Sequence, residues 1–198
     1  MQTYSHFIIT AALNHGYHKK NSSGKKVTVD KWALLLGSFA PDMPLVILTA
    51  IFFIQKFFLG DTTPTDGIFG IEYDMLYFND PIWITGHALF HAPPLLALYL
   101  TIGYWVGFRH NKQWARSLFW FAIGCALHSA IDIVTHHNDG PLLFFPFDWK
   151  TRFSSPISYW DPNHYGIIFA IFEHILNVIL IIWMVVTRQM PSSTKAQE

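Results

Sequence analysis

The sequence predicts an all-α, polytopic membrane bundle of about four transmembrane helices, preceded by an N-terminal helix that is re-entrant or interfacial. Three observations carry that expectation. Of the 198 residues, 52% are hydrophobic and 17% aromatic, while only 13% are charged; that charged share is about half the usual one, which suits the chain to lipid rather than water. Four apolar runs are long enough at about 1.5 Å per residue to cross a ~30 Å hydrocarbon core. Ten of the 13 Lys and Arg residues fall before the first run, between the second and third, or after the fourth. Those segments, and with them both termini, are therefore expected on the cytoplasmic side.

Acidic and basic residues balance at 13 each, so no bulk field recruits nucleic acid. Cys125 is the single cysteine, which excludes an intramolecular disulfide.

In chain order, Thr3 to Tyr17 reads as a short helix, too brief to span, followed by a basic loop with Lys19, Lys20, Lys25, Lys26 and Lys31. Asn21-Ser22-Ser23 matches a glycosylation acceptor by letter only, since it lies on the cytoplasmic side. Trp32 to Leu59 is the first run, and Ala40-Pro41-Asp42-Met43-Pro44 should break it, with Asp42 placed to cap the second piece. Gly60 to Asp80 reads as an acidic, turn-rich loop. Ile82 to Phe108 is the second run, interrupted by Pro93-Pro94, and Trp114 to Thr135 is the third. His136 to Tyr165, with its prolines, tight-turn dipeptides and interfacial aromatics, reads as an irregular loop layer. Gly166 to Thr187 is the fourth run. Residues 1–190 are expected to form a single transmembrane metal-site domain and 191–198 a flexible tail.

The functional signal is the density of ionisable residues inside these runs. The chain has 11 histidines. On a helix, His128, Asp132 and His136 lie along one stripe at i, i+4 spacing, and His87 and His91 share another. Imidazole and carboxylate together suit zinc, manganese or iron, and such groups near hydrocarbon are costly unless compensated. Counting from the expected span ends, Asp42 lies about 15 Å in from the cytoplasmic side, and His6 reaches a similar depth on its re-entrant helix. His91, His128 and Glu173 lie roughly 10 to 14 Å in from the opposite side. The two sets of depths sum to nearly the ~30 Å core, so they can converge near the midplane. The candidate metal ligands are His6, Asp42, His87, His91, His128, Asp132 and His136, with one of His87 and His91 expected to orient the other or a substrate oxygen. Glu173 and Asp132 are the candidate proton acceptors. His174 is expected to face the loop layer, and His15, His18, His110 and His164 to be surface or interfacial residues.

His6, Gly37-Ser-Phe-Ala-Pro-Asp42, His87-Ala-Leu-Phe-His91, His128-Ser-Ala-Ile-Asp132 and Asp139-Gly-Pro-Leu-Leu-Phe-Phe-Pro-Phe147 together resemble the bacterial inner-membrane proteins known as membrane-bound metal-dependent hydrolases, including the LexA-regulated inner-membrane hydrolase group. Their order is also similar to the zinc-dependent phospholipase C pattern, an all-helical metal site. The resemblance covers residues 1 to about 147. It implies an integral protein of the bacterial inner membrane, metal binding by His6, Asp42, His91, His128 and Asp132, and hydrolysis of an ester or phosphoester. Ala88, Leu89 and Ala92 stand where the family motif has arginine, glycine and serine, and the last HxxxE of the phospholipase pattern is absent.

These readings together lead to an expected function. A divalent metal, zinc before manganese or iron, acidifies a water, Glu173 or Asp132 takes its proton, and a lipid-borne ester or phosphoester is cleaved. Membrane lipid is the expected partner. The alternative is a non-catalytic accessory subunit, holding a structural metal or polar network and docking onto other membrane protein subunits.

Overall fold

The computed structural model describes residues 1–20, 28–59 and 69–189. Helix α1 (Thr3–Lys20) is followed by α2 (Lys31–Gly37), a 3-10 turn at Ala40–Asp42 and α3 (Met43–Ile54), which continues as a π turn to Leu59. Next come α4 (Ile71–Asn79), α5 (Pro81–Ala88), α6 (Pro93–Tyr104) with a π turn to Arg109, and α7 (Gln113–Thr135). Strands β1 (His137–Leu142) and β2 (Arg152–Ser154) form an antiparallel pair before α8 (Gly166–Gln189). Three helical stretches are long and apolar enough to cross a membrane, Ala40–Phe58, Gln113–Thr135 and Gly166–Arg188. A fourth is formed if Pro81–Ala88 and Pro93–Arg109, bent by 46°, count as one broken span. The outward face of α8, with Ile168, Ile171, Phe172, Ile175, Val178 and Ile182 exposed, has the apolar surface lipid requires.

The breaks fall where proline chemistry dictates. Pro41 and Pro44 cannot donate to a continuing helix, and the chain turns through the 3-10 segment between α2 and α3. Asp80 caps α5 by accepting from the Ile82 and Trp83 N–H groups at 2.8 and 3.2 Å, with Pro81 at the first helical position. Because α5 carries His87 and leads into His91, this cap sets the entry of the segment that reaches the centre. Asp80→Ala should therefore cost about 1 kcal/mol, read as a lowered thermal unfolding midpoint in detergent; an unchanged midpoint would show that the cap is dispensable.

Two glycines set the tightest crossing. A side chain on Gly37 would begin 2.0 Å from the Phe121 carbonyl oxygen, and one on Gly124 would begin 2.2 Å from the Leu34 carbonyl oxygen. The backbones of α2 and α7 are thus in direct contact, as at small-residue helix crossings in membranes. Helix α1 lies alongside α8 and runs in the same direction, with Tyr4 against His174 and His15 against Thr187.

The structure departs from the sequence reading in several places. Ile71–Asn79 is helical rather than loop, with Glu72 and Asp74 in the first turn, where acidic side chains favour a helix N-terminus. The expected irregular layer contains the β1–β2 pair, whose register sets His137 opposite Ser154 and Leu142 opposite Arg152, with an irregularity between. Helix α1 extends to Lys20, past the expected end at Tyr17, and packs along α8. Asp42 makes no capping hydrogen bond to α3; its side chain is directed elsewhere. The Asn21-Ser22-Ser23 match, Lys25, Lys26 and the tail at 191–198 lie outside the described residues.

Candidate metal centre

The i, i+4 spacing on α7 does what its geometry predicts for two of its three members. His128 Nε2 lies 2.9 Å from Asp132 Oδ2. His136 instead turns back along its own helix, its Nδ1–H donating to the Asp132 carbonyl at 2.9 Å, and its ring packs against Tyr159 at the rim.

Around this pair the other elements deliver one group each. The 3-10 turn brings Asp42 Oδ1 to 3.3 Å from His128 Nε2, and the Thr3 hydroxyl donates to Asp42 Oδ2 at 2.5 Å. The bend after α5 places His91 Nε2 3.5 Å from Asp132 Oδ2 and 3.7 Å from Asp42 Oδ1. From α1, His6 stacks on His128 with ring centroids 3.7 Å apart, and its Nε2 lies 2.9 Å from Asp132 Oδ1. The Met1 amino nitrogen also approaches, 3.1 Å from Asp132 Oδ1. One ligand atom from each of Asp42, His91, His128 and Asp132 lies within 4.8 Å of all the others.

Two features show that this donor set fits a cation. His6, His91 and His128 are 1%, 0% and 0% exposed, yet the Nε2 atom of each makes no well-aligned hydrogen bond and faces only the Asp42 and Asp132 carboxylates. Buried nitrogens without such a bond are costly unless something else uses their lone pairs. The second feature is the tautomer. His91 Nδ1–H donates to the His87 carbonyl at 2.7 Å and His128 Nδ1–H to the Ser38 carbonyl at 2.9 Å. Each bond fixes the proton on Nδ1 and turns the Nε2 lone pair toward the carboxylates, the arrangement that outer partners impose on metal-ligating histidines. Two carboxylates set against neutral imidazoles and the single Met1 ammonium leave net negative charge, which a divalent cation would neutralise.

The remaining candidates surround this group. His87 lies outside it: its ring is 4.4 Å from that of His91, its Nδ1 is 3.4 Å from the Tyr77 hydroxyl, and only its backbone carbonyl serves the centre. The two rings still share a face, and the difference is one of depth: His91, one turn further on, reaches Asp42 and Asp132, whereas His87 meets Tyr77. Glu173 is 2% exposed and accepts from the Gln2 N–H at 2.8 Å, next to the centre but outside the four-atom group. His174 bonds to Tyr4 of α1 rather than facing the loop layer, and His164, partly exposed, stacks on His137 at 3.6 Å. Sequence reasoning missed Thr3, Ser38 and Ser129, whose hydroxyl holds the His91 carbonyl at 2.5 Å. Small hydroxyl residues are too common in helices to be singled out, and backbone acceptors carry no residue signature at all.

A family model described as YdjM inner membrane protein matches residues 1–193. The chain belongs to that family. No curated protein and no solved structure matches it. The YdjM description names a location and no reaction, so it agrees with the apolar helices and supplies neither the hydrolase activity nor the zinc phospholipase C link that the motifs suggest. In this YdjM member the Asp42, His91, His128 and Asp132 group is a possible metal site whose ion is left open by the donor set.

Proposed function

We propose that this protein is a membrane-embedded, metal-dependent hydrolase acting on a lipid-borne ester or phosphoester, with both termini on the cytoplasmic side. The observation that carries the proposal is the buried convergence of two carboxylates with imidazole nitrogens that lack any other partner. A divalent cation, zinc before manganese or iron, supplies Lewis acidity toward the ester oxygen and acidifies water when bound there. Asp42, His91, His128 and Asp132 would hold it, with His6 Nε2 placed beside Asp132. Glu173, kept dry and oriented by the Gln2 N–H, accepts a proton from the attacking water and returns it to the departing alkoxide as the ester bond breaks. Tyr159, Trp160 and the β1–β2 layer form the mouth, where an amphipathic headgroup finds both apolar and polar partners.

The test is turnover of phosphatidate and diacylglycerol esters by zinc-loaded protein in detergent, against protein stripped with a chelator. Metal-dependent release of product is expected. Glu173→Gln should keep the metal while losing about 100-fold or more in rate.

One observation favours a second reading. Four protein ligand atoms already complete the tetrahedral shell of a structural zinc site. Stoichiometric metal without turnover, in a protein that purifies with other membrane subunits, would replace the hydrolase by an accessory subunit.

A further inference from the structure

Basic residues are scarce away from the three segments where they gather. Between Arg116 and Arg188 the sequence has only Lys150 and Arg152, and between Lys56 and Arg109 it has none. Lys56 is spent on Glu72, at 2.5 Å, and Lys150 sits beside Asp148, whose carboxyl is held below the usual range by the Thr151 hydroxyl first and by this lysine's charge among lesser causes. Arg152 differs. Among the described residues no carboxylate lies within 4.0 Å of it.

Its side chain is nevertheless fixed. The guanidinium lies 5.2 Å from the Tyr77 ring centre and 5.5 Å from that of Phe78, and Nη1 donates to the Gly140 carbonyl. The fork's remaining donors are uncommitted by any side chain. The same contacts tie it to the metal centre. Tyr77 donates to the Asp139 carbonyl at 2.6 Å and lies 3.4 Å from His87 Nδ1, while a side chain on Gly140 would begin 3.0 Å from His136 Cβ and 3.5 Å from the Asp132 carbonyl oxygen. Arg152 is thus a half-buried cation, immobilised on two aromatic faces, joined to the centre through Tyr77 and Gly140, and without a carboxylate within 4.0 Å among the described residues.

We propose that Arg152 and the metal centre together form a recognition site for a phosphate group, with Arg152 selecting a phosphoester over an uncharged ester. The assignment rests on the hydrolase reading and narrows its substrate class. A planar fork pairs with phosphate oxygens at two points, and a neutral ester has no charge to satisfy it. The phosphate belongs either to a lipid headgroup or to free inorganic phosphate.

The test is calorimetric binding to the full zinc-loaded chain in a maltoside detergent, which carries no phosphate. The probes are dihexanoyl phosphatidate, inorganic phosphate and dihexanoylglycerol. Phosphatidate should bind, and Arg152→Gln should weaken it by about 10- to 100-fold with metal content and thermal midpoint unchanged. Arg152→Lys, which keeps the charge and loses the fork, should fall between the two and covers the case in which the glutamine variant fails to fold. Tighter binding of phosphatidate than of phosphate identifies the lipid as source, and equal binding identifies the free anion; both retain the arginine's role. Phosphatidate that fails to bind, or binds both variants as tightly as wild type, overturns the proposal. The hydrolase reading fails separately: arginine-dependent binding without turnover removes the reaction and keeps the anion site, whereas turnover of diacylglycerol esters independent of Arg152 does the reverse.

Discussion

Gly124→Val is expected to give a protein that unfolds at a far lower temperature than wild type and carries no stoichiometric metal. The new Cβ begins 2.2 Å from the Leu34 carbonyl oxygen and 2.8 Å from the Ser38 nitrogen, so it meets backbone on all sides and no side chain can swing away. Helices α2 and α7 must separate. Overpacking of this kind costs typically 1–3 kcal/mol and more where the backbone itself must move, so at least about 3 kcal/mol is expected. The consequence reaches the centre directly: Ser38 orients His128, and the Ala40–Asp42 turn that delivers Asp42 is the continuation of α2. A control separates this from a general intolerance of larger residues. Gly16→Ala places its Cβ 3.3 Å from one carbon of the Trp183 ring, a side chain that can yield, and its effect should stay small. Tryptophan fluorescence during heating and metal content by mass spectrometry read both variants. A Gly124→Val protein with wild-type midpoint and metal would show that the helix crossing is looser than described.

Asp132→Asn should abolish metal binding while leaving the fold in place. The amide keeps the shape of the carboxylate and removes its charge, at the residue that touches His6, His91 and His128 at 2.9, 3.5 and 2.9 Å. Losing an outer partner of a ligand commonly costs 10- to 100-fold in metal affinity, and losing a charged ligand shared by three histidines should exceed that, at about 100-fold or more. Without metal, the amide no longer pairs with the buried Met1 ammonium 3.1 Å away, so the metal-free variant should stay folded but unfold earlier than metal-free wild type. Chelator-competition titrations of zinc, with midpoints measured after stripping, check both halves. Retained zinc affinity would remove Asp132 from the ligand set.

The comparison of sequence with structure divides along physical lines. His128 and Asp132 were legible because a regular helix converts a spacing of four into a shared face, and Asp42 because two prolines mark a break that needs a reason. Which of His87 and His91 reaches the carboxylates was not legible, since both lie on one face and the depth at which that face meets Asp42 and Asp132 is set by packing. The strand pair escaped for a related reason. His137-Asn-Asp-Gly-Pro-Leu142 has no alternation of apolar and polar residues, and its pairing with β2 is imposed by the surrounding layer. Glu72 and Asp74 read as loop charges when taken as composition, whereas at the start of α4 they sit where acidic side chains suit a helix.

The same-direction packing of α1 along α8 has a consequence for biosynthesis. Gln2 and Glu173 are hydrogen-bonded across 171 positions of sequence, and Ser5 and Asn177 across 172. During synthesis the first helix therefore waits, unpartnered along one side, until the last has emerged. Its moderate polarity suits that interval better than a strongly apolar helix would, because it must remain available for late docking. A nascent chain holds Asp42, His91, His128 and Asp132 before α8 exists, but not the helix that closes the side where His6 enters. Any cation those four residues took up before α8 docked would therefore exchange more readily than one taken up by the completed polypeptide.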